Sequence, residues 1–262
     1  MAGLPEILTA FGQALELERE LGTRTVECDR ALLAPPAAVR PSPAAPCPAP
    51  PPPAAPPSPV PAPRAAGPAT LPTIEELAGC QRCPLASLGR QRAVPGQGNA
   101  ASPDIMFIGE APGEEEDRQG LAFVGAAGKF LTKMITAMGY TREQVFIANI
   151  CKCRPPNNRT PSPQEMAACL PYLRRQIAAI RPKCLVLLGR TAERGLFPDE
   201  RLRRGTWYAY EGIPTISTFH PSYIIRFNPV TEAAGQRAAK REVWETLKLA
   251  LARVGKVPPA RA

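Results

Sequence analysis

Asp104-Ile105-Met106-Phe107-Ile108-Gly109 is an unbroken apolar run, and Glu110-Ala111-Pro112-Gly113 follows it at once. A short apolar run that stops at turn residues reads as a strand buried on both faces. Three more such runs lie downstream: Val145–Ile150 (VFIANI), Lys183–Gly189 (KCLVLLG) and Pro214–Thr218 (PTIST). Helical periodicity separates them, over Ala127–Met138 and over Pro163–Ile180, with Ser162 as N-cap and Pro182 past the end. A last helix is expected over Ala233–Ala252. Buried strands alternating with helices predict an α/β fold with a parallel sheet covered on both faces. In such sheets ligands sit beyond the carboxyl ends of the strands. Those ends carry Glu110 to Gly113, Asn149, Gly189-Arg190 and His220-Pro221-Ser222, so polar residues from four segments collect on one edge.

The folded part is shorter than the 262-residue chain. Half of the 34 prolines lie between Pro35 and Pro72, in a Pro/Ala-rich stretch without the residues to build a core. The expected organisation is a short helical segment over 1–33, with its helix at Pro5–Gly22, then a disordered linker over 34–72. A single α/β domain over 73–254 and a tail over 255–262 complete it. The N-terminal segment on its tether has the form of a docking peptide for a protein partner. A net charge of +9 points to a polyanionic partner, and nucleic acid is the usual one. Residues 1–21 carry Glu6, Glu16, Glu18, Arg19 and Glu20, so they lack the apolar stretch of a secretory signal, and no run is long enough to span a membrane. A reducing, cytoplasmic setting is the expectation, in which clustered cysteines more often bind metal than pair as disulfides.

Eight cysteines are present. Cys80-x-x-Cys83 is one close pair, and Cys153 and Cys169 supply two more thiols from a later segment. That set suits a four-thiolate cage for zinc or for an iron–sulfur cluster, and the spacing does not choose between them. Cys151 would share a strand face with Cys153 and could compete as a ligand. Cys184 opens an apolar strand and reads as core; Cys28 and Cys47 fall in the tail and linker.

Three segments carry the remaining chemistry. Gly109 to Gly128 (GEAPGEEEDRQGLAFVGAAG) is rich in glycine and acid, with Phe123 set among small residues. Small residues let a ligand approach the backbone, and a lone aromatic there is a stacking surface. Asn149 to Pro161 reads NICKCRPPNNRTP, and Thr218 to Arg226 reads TFHPSYIIR, with His220 the only histidine in the chain. These segments, in combination with the cysteine spacing, resemble the family 4 uracil-DNA glycosylases, the iron–sulfur branch of that superfamily. The resemblance covers roughly Leu71 to Leu251 and leaves the tail and linker outside it.

The resemblance implies a three-layer α/β/α sandwich with a central four-stranded parallel sheet, a monomer, and a [4Fe–4S] cluster on Cys80, Cys83, Cys153 and Cys169. It implies hydrolysis of the N-glycosidic bond of deoxyuridine in DNA, with the nucleotide flipped out of the stack. Phe123 would stack on the base, Asn149 would read its Watson–Crick edge, and Gly109, Ala111 and Ser222 would line the pocket. His220 would hydrogen-bond the developing O2 anion. Glu110 would position water, with Asn158 as a second polar candidate. Ala111 stands where the family 1 enzymes have Asp, so that route to orienting water is missing. Lys152, Arg154, Arg159 and Arg226 are candidate phosphate contacts. The segment from Pro221 to Phe227 could wedge into the base stack. No Lys stands at a motif position to form a Schiff base, so the enzyme would leave an abasic site without cutting the strand. Two other readings keep part of the pattern. One is a glycosylase for another deaminated base such as hypoxanthine. The other is a non-catalytic nucleic-acid-binding protein with a four-cysteine metal site.

Overall fold

The computed structural model describes residues 70–227 and 231–259. The segment 1–33 and nearly all of the Pro/Ala-rich stretch 34–72 lie outside the described residues. The elements are α1 (Ile74–Ala78), β1 (Gln97–Gly98), β2 (Ile105–Gly109), α2 (Glu114–Gln119), α3 (Ala126–Ala137), β3 (Phe146–Asn149), α4 (Pro163–Ile180), β4 (Cys184–Leu188), α5 (Arg190–Leu196), β5 (Trp207–Tyr210), β6 (Ile213–Thr218), α6 (Pro221–Ile225) and α7 (Ala233–Arg253). Single 3-10 turns stand at Pro84–Ala86 and Pro156–Asn158. No helix among the described residues is long and apolar enough to cross a membrane.

The sheet runs β1-β3-β2-β4-β6-β5. Its four central strands are the expected ones and are mutually parallel. The sheet is wider than four strands because short antiparallel strands close both edges. Neither edge strand was legible. β1 is two residues long, and β5 is a four-residue segment with little burial. β5 turns into β6 through Glu211 and Gly212, at φ 48° and 80°. Two successive positive φ values give the turn whose twist suits a two-residue hairpin.

Side chains alternate across each strand and so divide the core in two. Met106, Ile108, Leu185 and Leu187 face α4 and α5, with Leu173 and Ile177 of α4 packed on them. Ile105, Phe107, Val186 and Leu188 face the other way, against Leu131 and Ile135 of α3 and Val243 and Leu247 of α7. The result is three layers, helix on sheet on helix. α4 begins with a capping box: Ser162 Oγ accepts from the Glu165 N–H at 3.2 Å, and Glu165 Oε2 accepts from the Ser162 N–H at 2.7 Å.

β2 pairs with β3 on one side and β4 on the other, so the chain reverses direction across the sheet at β2. The crevice at such a reversal is where open α/β sheets place ligands.

Candidate active site

A pocket opens at the carboxyl ends of the parallel strands, and its lining draws on all four: Glu110 after β2, Asn149 at the end of β3, Gly189 after β4 and His220 after β6. Phe123, Ala111, Asn158, Ser222 and Arg226 line it too. The structure therefore brings together most of the residues picked from the sequence.

Close approach shapes the floor. A Cβ built on Gly109 would fall 2.4 Å from Phe123 Cζ and 2.5 Å from Asn149 Oδ1. Only glycine leaves room for the ring and the amide to share that space. Phe123 sits at φ 53°, in the left-handed region that a bulky side chain rarely adopts. What holds it there is the Glu116 carboxylate, which in the sequence is only one member of an acidic run. Its Oε1 accepts from the N–H groups of Val124 and Gly125, both at 2.8 Å, and its Oε2 from that of Gly113 at 3.1 Å. One buried carboxylate thus cross-links the two ends of the loop. The neighbouring Asp117, 1% exposed, accepts from the Gln91 and Arg92 N–H groups and ties in the segment that precedes the sheet. Both acids lie in α2, a helix that was not expected.

Asn149 is 2% exposed, and its Oδ1 has no hydrogen-bond partner. An unmet buried acceptor costs on the order of 1–3 kcal/mol. At the wall of a pocket, that oxygen is matched to a ligand N–H.

His220 faces Phe123 with ring centroids 5.8 Å apart. Its Nδ1 accepts from the Ser222 backbone N–H at 3.1 Å, with Ser222 Oγ at 2.7 Å. A backbone N–H can only donate, so Nδ1 is the bare nitrogen and Nε2 carries the proton. Burial, reinforced by Arg226, lowers the imidazole pKa to about 4. The ring is neutral at pH 7 and offers one N–H. Glu110 Oε2 accepts from Thr191 Oγ1 at 2.5 Å, which fixes the carboxylate beside the pocket.

The basic residues divide. Lys152 is not a surface phosphate contact, and that expectation is corrected. The side chain is 1% exposed, and its Nζ donates to the Asn149 carbonyl at 2.8 Å and to Gln176 Oε1 at 2.6 Å. Burial lowers its pKa to about 8. Arg154 donates to Asn158 Oδ1 at 2.8 Å and pairs with Glu114 at 3.0 Å. Arg159 pairs with Glu165 at 2.6 Å. Arg226 is exposed at the rim. The segment from Pro221 to Ile225 forms a helical turn, with Tyr223 and Ile225 both exposed.

The four expected ligand cysteines gather at the edge of the first core face. Cys153 and Cys169 are buried, and Cys80 and Cys83 pack against the same cluster. Among the described residues no three Cys, His, Asp or Glu side chains are grouped tightly enough to hold one metal ion. The donors around the expected ligand cysteines suit anionic sulfur: Arg90 Nη1 donates to Cys153 Sγ at 3.0 Å, and the Lys152 N–H donates to Cys169 Sγ at 3.2 Å. Cys151 is buried in the same core cluster as Cys153 and Cys169. The donor chemistry fits thiolates that hold a metal centre.

Comparison with known proteins identifies the family. The family model of the uracil DNA glycosylase superfamily matches residues 95–248. A type-4 uracil-DNA glycosylase of Saccharolobus solfataricus is 47% identical over 168 residues, covering 59% of this chain and 76% of that protein. One from Archaeoglobus fulgidus is 49% identical over 163 residues, covering 58% and 81%. A type-5 uracil-DNA glycosylase of Pyrobaculum aerophilum is 26% identical over 184 residues, covering 57% and 80%.

The Phe123 turn supplies a test. A Cβ on Gly128 would fall 1.9 Å from the Phe123 carbonyl oxygen, and backbone cannot swing aside. Gly128→Ala gains up to about 1 kcal/mol in helix propensity and loses about 1–3 kcal/mol or more to the clash. The expected net effect is a lower urea midpoint; a raised midpoint would show that the turn gives way freely.

Proposed function

The chain belongs to the uracil DNA glycosylase superfamily, and on that premise we propose that it is a monofunctional uracil-DNA glycosylase of the type-4 class, acting in base-excision repair as a cytoplasmic monomer. It hydrolyses the N-glycosidic bond of deoxyuridine in DNA and leaves an abasic site. The observation that carries the base assignment is the unpartnered Asn149 Oδ1 in the pocket wall.

A stacked and paired base is out of reach, so the nucleotide is flipped into the pocket at a cost of a few kcal/mol. Phe123 stacks on the base, and Gly109 gives the ring room to do so. Asn149 Oδ1 accepts the N3–H of uracil while its amide nitrogen donates to O4. Cytosine presents the reverse pattern, an acceptor at N3 and a donor at C4. The same amide then leaves two polar groups mismatched in a buried site, and such mismatches reject strongly. Gly109, Ala111 and Ser222 complete the lining.

As the glycosidic bond breaks, negative charge builds on uracil and positive charge on the sugar. The neutral His220 donates its Nε2–H to O2, where the charge grows, and needs no proton of its own to move. Glu110, held by Thr191, is the group that orients water toward the sugar. Its carboxylate also favours the cationic sugar. Asn158 takes the accessory place at the rim. Cys80, Cys83, Cys153 and Cys169 would hold a [4Fe–4S] cluster, whose role is structural. Held by those four thiols, it would pin the segment before the sheet to the loop carrying Lys152 and Arg154.

The direct test is an end-labelled oligonucleotide with one uracil, incubated with the protein and then treated with hot alkali. Strand cleavage that needs the alkali is expected, with a loss on the order of 100-fold in His220→Ala if the donor behaves as an oxyanion-hole group. A folded protein that leaves uracil intact but opens a hypoxanthine substrate would move the assignment to that base.

The imidazole predicts a pH profile. Its folded pKa of about 4 lies below the ordinary value of 6.5. The associated stability is full above pH 6.5 and is lost as pH falls through about 4. Protonation at Nδ1 also breaks the bond from the Ser222 N–H. Single-turnover excision should therefore stay level from pH 8 to pH 6 and fall only towards pH 4. An acid limb at the ordinary histidine value would contradict a neutral, preorganised ring.

The cluster has its own readout. Protein purified without oxygen should be brown and absorb near about 400 nm, and removing iron should bleach it and lower the unfolding midpoint. A colourless protein carrying stoichiometric zinc would replace the cluster by a four-cysteine zinc site.

A further inference from the structure

Flipping a nucleotide requires that its strand be gripped beyond the pocket, yet the pocket mouth is a poor place for phosphate. Glu110, Glu114, Glu115 and Glu116 all line it. Of the cations near that side, Arg154 is already paired with Glu114 and Arg159 with Glu165, and Lys152 is buried, which leaves Arg226 as the exposed cation at the rim.

The opposite side differs. A second groove is lined by Arg190, Arg201, Leu202, Arg203, Arg204 and Glu242. Glu242 is the one acid in that lining, and Arg204 pairs with it at 2.7 Å. Arg201 and Arg203 are exposed, and among the described residues their guanidinium groups form no ion pair. Arg190 stands 4.0 Å from Glu193, at the limit of a pairing distance, and nearly half of its side chain is exposed. The groove is joined to the pocket in two ways. Arg190 lines both. Arg204 lies over the Phe219 ring at 3.9 Å, and Phe219 stacks at 4.6 Å and 12° on Tyr223, which lines the pocket.

We propose that the groove of Arg190, Arg201, Arg203 and Arg204 is the phosphate track of this enzyme, holding the backbone of the uracil-bearing strand as it leaves the pocket. The inference rests on the glycosylase reading for the identity of the strand, but the track itself follows from where the unpaired charge lies. Arg190 takes the phosphate nearest the flipped nucleotide. Arg201 and Arg203 take those farther along. The aromatic stack between groove and pocket gives the neighbouring base a surface, with exposed Tyr223 as its outer ring.

The test compares the wild-type chain with Arg201→Gln/Arg203→Gln by fluorescence anisotropy on an undamaged 30-mer across a salt series. Each phosphate contact contributes a slope of roughly 0.9 in log K against log salt, so the double variant should lose roughly 2 from the slope. The charge-keeping pair Arg201→Lys/Arg203→Lys should restore the slope, which a folding defect would not allow. Excision from a uracil 30-mer should fall by about tenfold or more, and by much less on a uracil trinucleotide too short to reach the groove. An unchanged slope in the Gln pair, or an equal loss on both substrates, would overturn the track. Because the anisotropy uses undamaged DNA, a wild-type protein that bound with the full slope but released no uracil would sink the glycosylase reading and leave the track standing.

Discussion

The buried ammonium of Lys152 is the constraint on which both ends of the site depend. Bringing a cation into the interior costs several kcal/mol unless acceptors replace its water. Here two do so, the Asn149 carbonyl at 2.8 Å and Gln176 Oε1 at 2.6 Å. Gln176 in turn donates to the Pro95 carbonyl at 2.6 Å, and the Lys152 carbonyl accepts from the Val94 N–H at 2.7 Å. The Lys152 N–H points at Cys169 Sγ. One residue therefore joins β3, α4, the segment before the sheet and the cysteine site. Removing any member leaves the ammonium short of a partner, so the network holds or fails as a unit. The end of β3 that bears Asn149 is fixed by the same residue that contacts Cys169.

On the other wall of the pocket the order comes from strain held in check. Phe123 at positive φ is unfavourable by itself and persists because Glu116 binds three surrounding N–H groups and Gly128 makes way for its carbonyl. A carboxylate with several charge-assisted bonds can offset a penalty of that size. The same arrangement leaves Asn149 Oδ1 unmet. The site thus carries unfavourable local features that a bound base would relieve, while the two-sided apolar core beneath it supplies the stability.

The strands of the fold were legible because their apolar runs answer to one cause, burial on both faces. The helices Pro163–Ile180 and Ala233–Arg253 were legible from period and caps. Glu114–Gln119 was not, because EEEDRQ has no apolar face to betray a helix; its two inward acids are spent on backbone N–H groups instead. β1 and β5 escaped because a two-residue pairing and a short edge strand have almost no pattern of their own. Within the site, Asn149 and His220 were legible as polar residues at strand ends, and the roles expected of Gly109, Phe123, Asn149 and His220 came from the family resemblance. Lys152 misled: a lysine between two cysteines and before an arginine looks like part of a basic surface. Only the tertiary position of Gln176, twenty-four residues on, reveals a buried acceptor waiting for it. Sequence shows that a charge exists, and the fold decides whether water or protein solvates it.

That distinction also reorders the meaning of the +9 net charge. Net charge draws a polyanion toward the molecule, but docking is set by those cations whose partners are absent. Arg154 and Arg159 sit in the motif most suggestive of phosphate binding, yet each is already satisfied by a carboxylate, and Lys152 is consumed by the core. Among the described residues, Arg226 at the pocket rim is an exposed motif arginine without an ion pair, and Arg201 and Arg203, also without one, fall outside every motif, between α5 and β5. The neutral state of His220 belongs to the same electrostatic scheme. Burial, with Arg226 nearby, keeps the ring uncharged, so under the proposed function the pocket would offer a leaving uracil oriented dipoles, the His220 N–H and the Asn149 amide, in place of a mobile cation. Fixed dipoles stabilise an anion without first having to be desolvated with it. On the two proposals together, long-range charge would gather the strand and local dipoles would act on the base, with affinity for DNA and selectivity for the base in separate parts of the molecule.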